Sequence, residues 1–305
     1  MSTPGSDTFD GGTPAHAEYA AAARRHRVVH IAKAVIAYVI LAVFAVIAVG
    51  PFLYLLSPSF RESYELFSYP PDWIPNSLFW GNFSTILHET SYLRWALNTL
   101  VFATTVTLIT LVIDAMAGYA FARLRFPGRT LLFALVLSTL MIPTAVLIAP
   151  LYIMIAHLPG WTHSGINTYP AMILPMVVSP LGVFMMRQFI GTLPEGLVEA
   201  ARLDGAGEWL IFRRIVLPLM KPAIVVLGIF TFMFQWVNFL WPLVITTSDD
   251  MKTLTVGIAS LQGQFVTNWG VISAAAVMTM VPVILIFLVF QKWFVQASMA
   301  GALKQ

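Results

Sequence analysis

The stretch GTLPEGLVEAARLDGAGEWLIFRRIVLPLMKPAI, residues 191–224, is a charged and regular segment set between two long apolar runs. Its length and regularity exceed what a simple connection needs. Thr192 followed by Glu195 has the spacing of a capping box, in which hydroxyl and carboxylate satisfy orphan amides at a helix start. Helix-forming residues run to Leu203, and Gly205 predicts a left-handed stop. A second short helix is expected to turn Leu210, Ile211, Ile215 and Val216 to the membrane, with Pro218 closing it. A short helix ending in a sharp glycine turn can dock in a groove on another protein. There Glu199 and Asp204 would offer charge-assisted contacts, and the small Ala200 and Ala201 would allow close approach. A surface-lying amphipathic connector satisfies the same pattern, and the chemistry of the segment alone leaves both readings open.

Outward from this loop, apolar runs occur at 34–57, 96–121, 130–156, 168–190, 220–246 and 271–296. Each exceeds the roughly 20 residues that a helix needs to cross a bilayer core. The chain is 58% hydrophobic and 10% charged, against about 25% charged for a soluble chain. An all-α integral membrane protein of six spans follows. Pro143, Pro150, Pro175, Pro180 and Pro282 fall inside these runs, where neighbouring helices and water can satisfy the carbonyls that they free. Kinks around a pathway and ordinary packing kinks are both consistent with them.

Basic residues set the orientation. With the N-terminus in the cytoplasm, 14 of the 17 Lys and Arg residues lie inside, and Arg61, Arg94 and Lys252 lie outside. Both termini are therefore expected in the cytoplasm. Residues 1–23 are rich in Gly, Ser, Thr, Pro and Ala and poor in apolar side chains, which predicts a disordered tail. The basic cluster Arg24, Arg25, Arg27 precedes an apolar run too long for a cleaved signal, so the first span is read as uncleaved. The expected organisation is a cytoplasmic tail at 1–30, a first helix and external loop at 31–95, a membrane domain at 96–296 with the charged loop at 191–218, and a cytoplasmic tail at 297–305. The external loop carries Tyr64, Phe67, Tyr69, Trp73, Phe79, Trp80, Tyr92 and Trp95. This is an interfacial aromatic belt, a platform for an external partner, or both.

Cysteine is absent, so there is no disulfide framework, thiolate metal site or thiol nucleophile. No G-x-x-x-x-G-K-[ST] loop occurs, and Gly205-Ala206-Gly207 lacks the following lysine. The chain should not bind or hydrolyse ATP. No H-E-x-x-H motif occurs; His157 and His163 read as exposed loop histidines rather than a metal pair. No metal, bound cofactor or nucleic-acid partner is expected.

Glu199-Ala200-Ala201, three residues, Gly205, nine residues, Ile215, one residue, Leu217-Pro218 resembles the "EAA" signature of bacterial binding-protein-dependent ABC importer permeases, complete at every position. WALNTL at 95–100, ARLRFPGR at 122–129, MIP at 141–143, NTYPAMILP at 167–175 and FLWPL at 239–243 are similar to the carbohydrate branch of that family, nearest the maltose-importer G-like type. The resemblance covers roughly 60–305 and implies a MetI-like permease fold whose coupling helices, at Glu199, Ala200, Ala201, Asp204, Gly205, Leu217 and Pro218, enter a cleft of a cytoplasmic ATPase. It implies a second permease subunit, two ATPase subunits carrying ATP and Mg, an extracytoplasmic sugar-binding protein, and residence in the bacterial inner membrane. Leu303 and Gln305 depart from the family's C-terminal tail, and Val237 and Asn238 depart from its W-N-[DE]-F pattern.

Polar groups within a membrane are costly and often functional. Gln235 and Asn238, three apart, are expected to share a helical face, with Trp236 and Trp241 beside them. Amides and indoles suit sugars, which offer hydroxyls to bond and flat C–H faces to stack. Interhelical hydrogen bonding is the competing use. Asp114, late in the second span, would face a water-filled cavity, pair with a polar group of the partner permease, or be held by neighbouring Ser or Thr. Asn98 and Asn167 read as structural. A glycerol-phosphate ester or another small polar solute, such as an amino acid or peptide, is the alternative cargo; the carbohydrate-branch stretches weigh against amino acids and peptides, and the lack of a buried basic residue in the pathway weighs against the ester. A membrane-embedded enzyme or sensor would need a nucleophile–base pair or metal ligands inside the bundle, and Asp114 alone does not supply them.

Overall fold

Helix α3, Tyr92–Arg123, is a 32-residue helix whose buried positions explain its place. Trp95, Asn98, Thr99, Phe102, Ala103, Val106, Thr107, Thr110, Asp114, Ala115, Gly118 and Tyr119 recur three or four residues apart, which makes one continuous inward stripe. The opposite side keeps Leu97, Leu100, Leu108, Val112 and Met116 exposed, as suits hydrocarbon surroundings. The computed structural model describes residues 14–67, 75, 77–157, 165–262 and 267–302, with backbone alone for 14–26, 28 and 293–302. Among them there is no strand.

The chain divides at Leu55 into two units. The first holds all but the last turn of α1, Pro14–Ser59, whose segment Val29–Ser59 is long and apolar enough to cross a membrane. The tail expected at 1–30 is corrected in part. Residues 14–30 are helical backbone, while 1–13 lie outside the described residues. The low apolar content argues only against burial. The run PAHAEYAAAARRHR at 14–27 is alanine-rich, and alanine is the strongest helix former.

In the second unit, α2 (Gly81–His88), α3, α4 (Arg129–Ser138), α5 (Thr144–Ala156), α6 (Tyr169–Ile173), α7 (Pro180–Gly191), α8 (Glu195–Leu203), α9 (Glu208–Ile211), α10 (Leu217–Leu219), α11 (Lys221–Trp236), α12 (Leu240–Ile245), α13 (Leu254–Ser260) and α14 (Trp269–Ala302) follow in order. Helices α3 and α14 have unbroken apolar segments of spanning length. The other runs are bent pairs: Arg129–Met141 with Thr144–Ala156 at 106°, Tyr169–Met176 with Pro180–Gly191 at 46°, and Glu208–Leu219 with Lys221–Trp236 at 77°. With α1, they make up to six crossings if each pair counts as one.

Proline chemistry explains two breaks. Ile142, before Pro143, is extended at φ −86° and ψ 119°, as the residue preceding a proline prefers, so the run expected at 130–156 turns sharply there. Before Pro180, the Ser179 hydroxyl accepts from the Gly182 amide and caps α7 at its first turn. Pro150 and Pro282 stay inside α5 and α14. Pro218 does not close the second loop helix as expected. A π-type turn over Phe212–Val216 shifts the hydrogen-bond register ahead of it, and the bend comes at Met220, before Pro222.

Three clusters fill the second unit. One joins Ala115, Tyr119, Met186, Ile190, Val198, Ile211 and Phe212 around the α7–α9 loop. Another gathers Phe102, Val106, Met172, Trp241 and Ile245. The third holds Ile86, Tyr92, Trp95, Trp236 and Leu254. The aromatic belt expected at 58–95 therefore splits. Tyr92 and Trp95 are core, Phe60 and Trp80 meet edge to face at 4.9 Å, and Tyr64 and Phe67 are exposed. Tyr69 and Trp73 lie outside the described residues.

Candidate coupling site and pathway

Helix α8 sinks one side chain, Val198, fully into the bundle and shows most of its surface. Val198 is 3% exposed and packs in the α7–α9 cluster, whereas Glu199, Ala200 and Asp204 are exposed, Ala201 is half-buried, and Leu203 is 89% exposed. The helix stops as Gly205 predicted. Gly205 stands at φ 81°, its amide donates to the Arg202 carbonyl at 3.0 Å, and the Ala206 amide reaches back to the Ala201 carbonyl at 2.9 Å. That pair of bonds is a Schellman stop, and glycine adopts its left-handed residue without a Cβ penalty. Leu217 is half-buried and Pro218 exposed.

The helix start is a correction. Thr192 does not cap α8; its hydroxyl donates to the Phe189 carbonyl at 2.8 Å, and Pro194, at ψ 128°, takes the N-cap position. Thr192 still belongs to the end of α7, where an i−3 carbonyl is closer than the amides of the next helix. Glu195 remains in the first turn of α8, where a negative charge is favoured, and lies 3.5 Å from Arg123.

Four side chains hold the loop to the end of α3. The Arg123 guanidinium donates to the Ile190 carbonyl at 2.9 Å and also to the Leu193 carbonyl, satisfying groups left open at the end of α7. Arg202 of α8 donates to the Arg123 carbonyl at 3.3 Å and to Glu208 at 2.8 Å and 3.3 Å. The buried Tyr119 donates its hydroxyl to Glu208 at 2.5 Å. The Arg202 guanidinium, helped by Tyr119, holds the Glu208 carboxyl below the usual carboxylate range, and Glu208 raises Arg202 in turn. Sequence reasoning passed over this set. Arg123 stood in the ARLRFPGR stretch only as part of a resemblance, and Glu208 was given no role of its own.

At the other end of the bundle, the structure joins Gln235 to Asn238 but sends Trp236 and Trp241 into separate core clusters. Helix α11 ends at Trp236, and Asn238 lies in the break before α12, which corrects the expected shared face of Gln235 and Asn238. The break lets the Asn238 side-chain amide donate to the side-chain Oε1 of the buried Gln235 at 2.9 Å, while the Asn238 backbone carbonyl accepts from Thr255 at 2.8 Å. The Trp236 indole donates to the Thr279 carbonyl at 3.2 Å, and the Trp241 indole to the Met172 carbonyl at 3.0 Å. Both tryptophans are buried and spend their N–H groups on neighbouring helices, as the interhelical reading holds. Gln235 and Asn238 keep amide capacity beyond the bond that they share.

Asn98 and Asn167 serve the frame. Asn98 donates to the Asp250 and Lys252 carbonyls at 2.7 Å and 2.8 Å and accepts from Tyr169 at 2.6 Å. Asn167, at φ 57°, accepts from the Thr247 and Ser248 amides at 2.8 Å and 3.1 Å. Asp114 is fully buried, and its carboxylate accepts from the Ser179 amide at 3.3 Å. No metal-ligand cluster occurs among the described residues, and His163 lies outside them.

Residues 114–298 match the model of the family described as binding-protein-dependent transport system inner membrane component. The arabinooligosaccharides transport system permease protein AraQ of Halalkalibacterium halodurans is 40% identical over 263 residues, which is 85% of this chain and 92% of that one. The sn-glycerol-3-phosphate transport system permease protein UgpE of Pectobacterium atrosepticum is 36% identical over 243 residues, 77% of this chain and 85% of that one. In fold, the chain is similar to a crystal structure of a bacterial ABC transporter involved in the import of the acidic polysaccharide alginate. The TM-score is 0.75 at 20% identity, covering 89% of this chain and 98% of the other.

Proposed function

Since the chain belongs to the family of binding-protein-dependent transport system inner membrane components, we propose that it is a permease subunit of an ATP-driven ABC importer whose cargo is a sugar, in the oligosaccharide range. It forms half of a pathway with a second permease subunit. Two cytoplasmic ATPase subunits supply ATP and Mg chemistry, and an extracytoplasmic binding protein delivers the cargo. Both termini face the cytoplasm of a bacterial cell. Closure of the ATPases draws the coupling helices together and rocks the spans between inward-open and outward-open arrangements.

The observation that carries the reading is α8 itself, a helix anchored by Val198 and Arg202 and stopped by Gly205 that presents Glu199, Ala200, Leu203 and Asp204 outward. An exposed leucine beside two carboxylates suits a protein groove. Gln235 and Asn238, with amide capacity left near a helix break, are the pathway groups proposed to meet the sugar. Oligosaccharide cargo draws support from the relative named for arabinooligosaccharides. The relative named for sn-glycerol-3-phosphate supplies the competing cargo.

Affinity purification of the tagged chain in mild detergent tests the assembly. The wild type is expected to retain an ATPase subunit and Glu199→Lys to weaken it; recovery without any ATPase would sink the proposal. With the retained complex in vesicles, uptake of labelled oligosaccharide against labelled glycerol 3-phosphate separates the cargoes.

A further inference from the structure

One helix touches both the candidate coupling loop and the opposite end of the bundle without a break. Helix α3 runs from Tyr92 to Arg123, 32 residues or roughly 48 Å at 1.5 Å per residue. Three other runs in the same unit are bent by 46°, 77° and 106°. At the Arg123 end, α3 is joined to α8 and α9 by the Arg202 bond to the Arg123 carbonyl, the Tyr119–Glu208 bond and the Arg202–Glu208 pair. At the Tyr92 end, Trp95 donates to the Asp249 carbonyl at 3.2 Å, Arg94 to the Asp250 carbonyl at 3.1 Å, and Asn98 to the Asp250 and Lys252 carbonyls.

Resting on the permease reading above, we infer that Tyr119, Arg202 and Glu208 clamp the coupling helix to α3, and that α3 is the strut by which movement of that helix reaches the 249–252 loop. The connections that follow the chain are poorer transmitters. From α8 toward α11 the backbone passes a π-type turn and a 77° bend. Toward α7 it passes Thr192–Pro194, between two helix ends. A bend in a helix absorbs displacement, whereas a straight helix hydrogen-bonded at both ends passes it on. Three features make the clamp stiff. The Tyr119 hydroxyl is in a buried residue and has one acceptor, Glu208. The Glu208 carboxylate is shared between two donors. Arg202 satisfies the carbonyl of the last α3 residue. Tyr119, Arg202 and Glu208 are positioning residues, acting through α3 rather than on cargo or nucleotide.

The test uses the complex that co-purifies with the tagged chain, in lipid nanodiscs. The chain has no cysteine, so Glu89→Cys, exposed just before α3, takes an environment-sensitive fluorophore whose signal is measured against the same complex without that substitution. Two readouts are followed on adding ATP and Mg: the spectral change at position 89 and the rate of hydrolysis. Tyr119→Phe and Glu208→Gln are each expected to keep the ATPase subunit and hydrolysis within about twofold while the spectral change falls about tenfold. The double variant is expected to be no worse than either single one. Arg202→Glu combined with Glu208→Arg should recover part of the signal.

An unchanged spectral response in Tyr119→Phe, with hydrolysis intact, overturns the inference. Equal loss of the ATPase subunit and the signal also overturns it, because the trio would then only shape the docking face. Tyr119→Phe removes a single hydroxyl, so it keeps the test open if the charged variants fail to accumulate. A wild-type complex that retains no ATPase would instead defeat the permease reading on which the inference rests.

Discussion

Asp114 and Ser179, 65 residues apart, meet where the two halves of a bent run join: the Ser179 amide donates to the Asp114 carboxylate at 3.3 Å. Gly182 makes room for the other oxygen of the same carboxylate. A Cβ placed there would stand 1.9 Å from Asp114 Oδ2. Gly182→Ala must push α3 and α7 apart or displace the carboxylate. It is expected to destabilise the protein by about 1–3 kcal/mol, the usual cost of overpacking. Thermal unfolding in detergent checks this, and an unchanged midpoint would contradict the tight approach.

Gly205 is the stop of α8 at φ 81°. Gly205→Val places a β-branched residue in the left-handed region, which costs on the order of 1–3 kcal/mol. The loop then has to leave α8 in another direction. The expected result is loss of ATPase capture with the chain still inserted in the membrane, read by co-purification.

The Glu208 carboxyl lies below its ordinary range because Arg202, and then Tyr119, bond its charged form. A group with a lowered folded-state value contributes stability that is fully present above the unfolded value, about 4.3 for glutamate, and lost as pH falls through the folded one. Thermal stability that depends on Glu208 should therefore be flat through the neutral range and decline only in acid. Glu208→Gln should lack that part of the decline. Both partners are about two-fifths exposed, so solvent screening limits the ion pair to roughly 0.2–1 kcal/mol. A stability loss of that size between neutral and slightly alkaline pH would point to another group.

The Trp241 indole is buried and donates to the Met172 carbonyl at 3.0 Å. Trp241→Phe leaves that carbonyl without its donor and is expected to cost about 1–3 kcal/mol. The same change should leave cargo preference alone. Asn238→Ala is expected to do the reverse, lowering uptake several-fold with little change in unfolding. Uptake and unfolding measured on the same two variants distinguish helix packing from pathway contact.

The apolar runs were legible because hydrocarbon requires long uninterrupted stretches, and the Gly205 stop because only a few residues tolerate its conformation. The shared face of Gln235 and Asn238 was misread because three-residue spacing assumes an unbroken helix, and α11 ends between them. Thr192 was misread because a hydroxyl between two helices can serve either end, and the spacing to Glu195 speaks for only one. The clamp at Glu208 was not legible. Its partner Tyr119 is 89 residues away, and no local period links a tyrosine in an apolar run to an acid in a polar loop.

The two ends of α3 are fastened with different chemistry. The Arg123 end relies on guanidinium and carboxylate groups. At the Tyr92 end, Trp95 and Asn98 join an indole and a neutral amide to backbone carbonyls, Arg94 adds a guanidinium-to-carbonyl bond, and Lys252–Asp249 is an ion pair on the surface. Dissolved ions screen charges and leave neutral bonds almost untouched. In the proposed orientation, the end that joins carboxylate to guanidinium around Arg123 and Arg202 faces an interior whose salinity and acidity the cell governs, and the end that rests mainly on backbone carbonyl acceptors faces surroundings that it does not. The outer rim should therefore depend less on dissolved salt than the cytoplasmic end, and most of this subunit's sensitivity to ionic strength should enter from the cytoplasm.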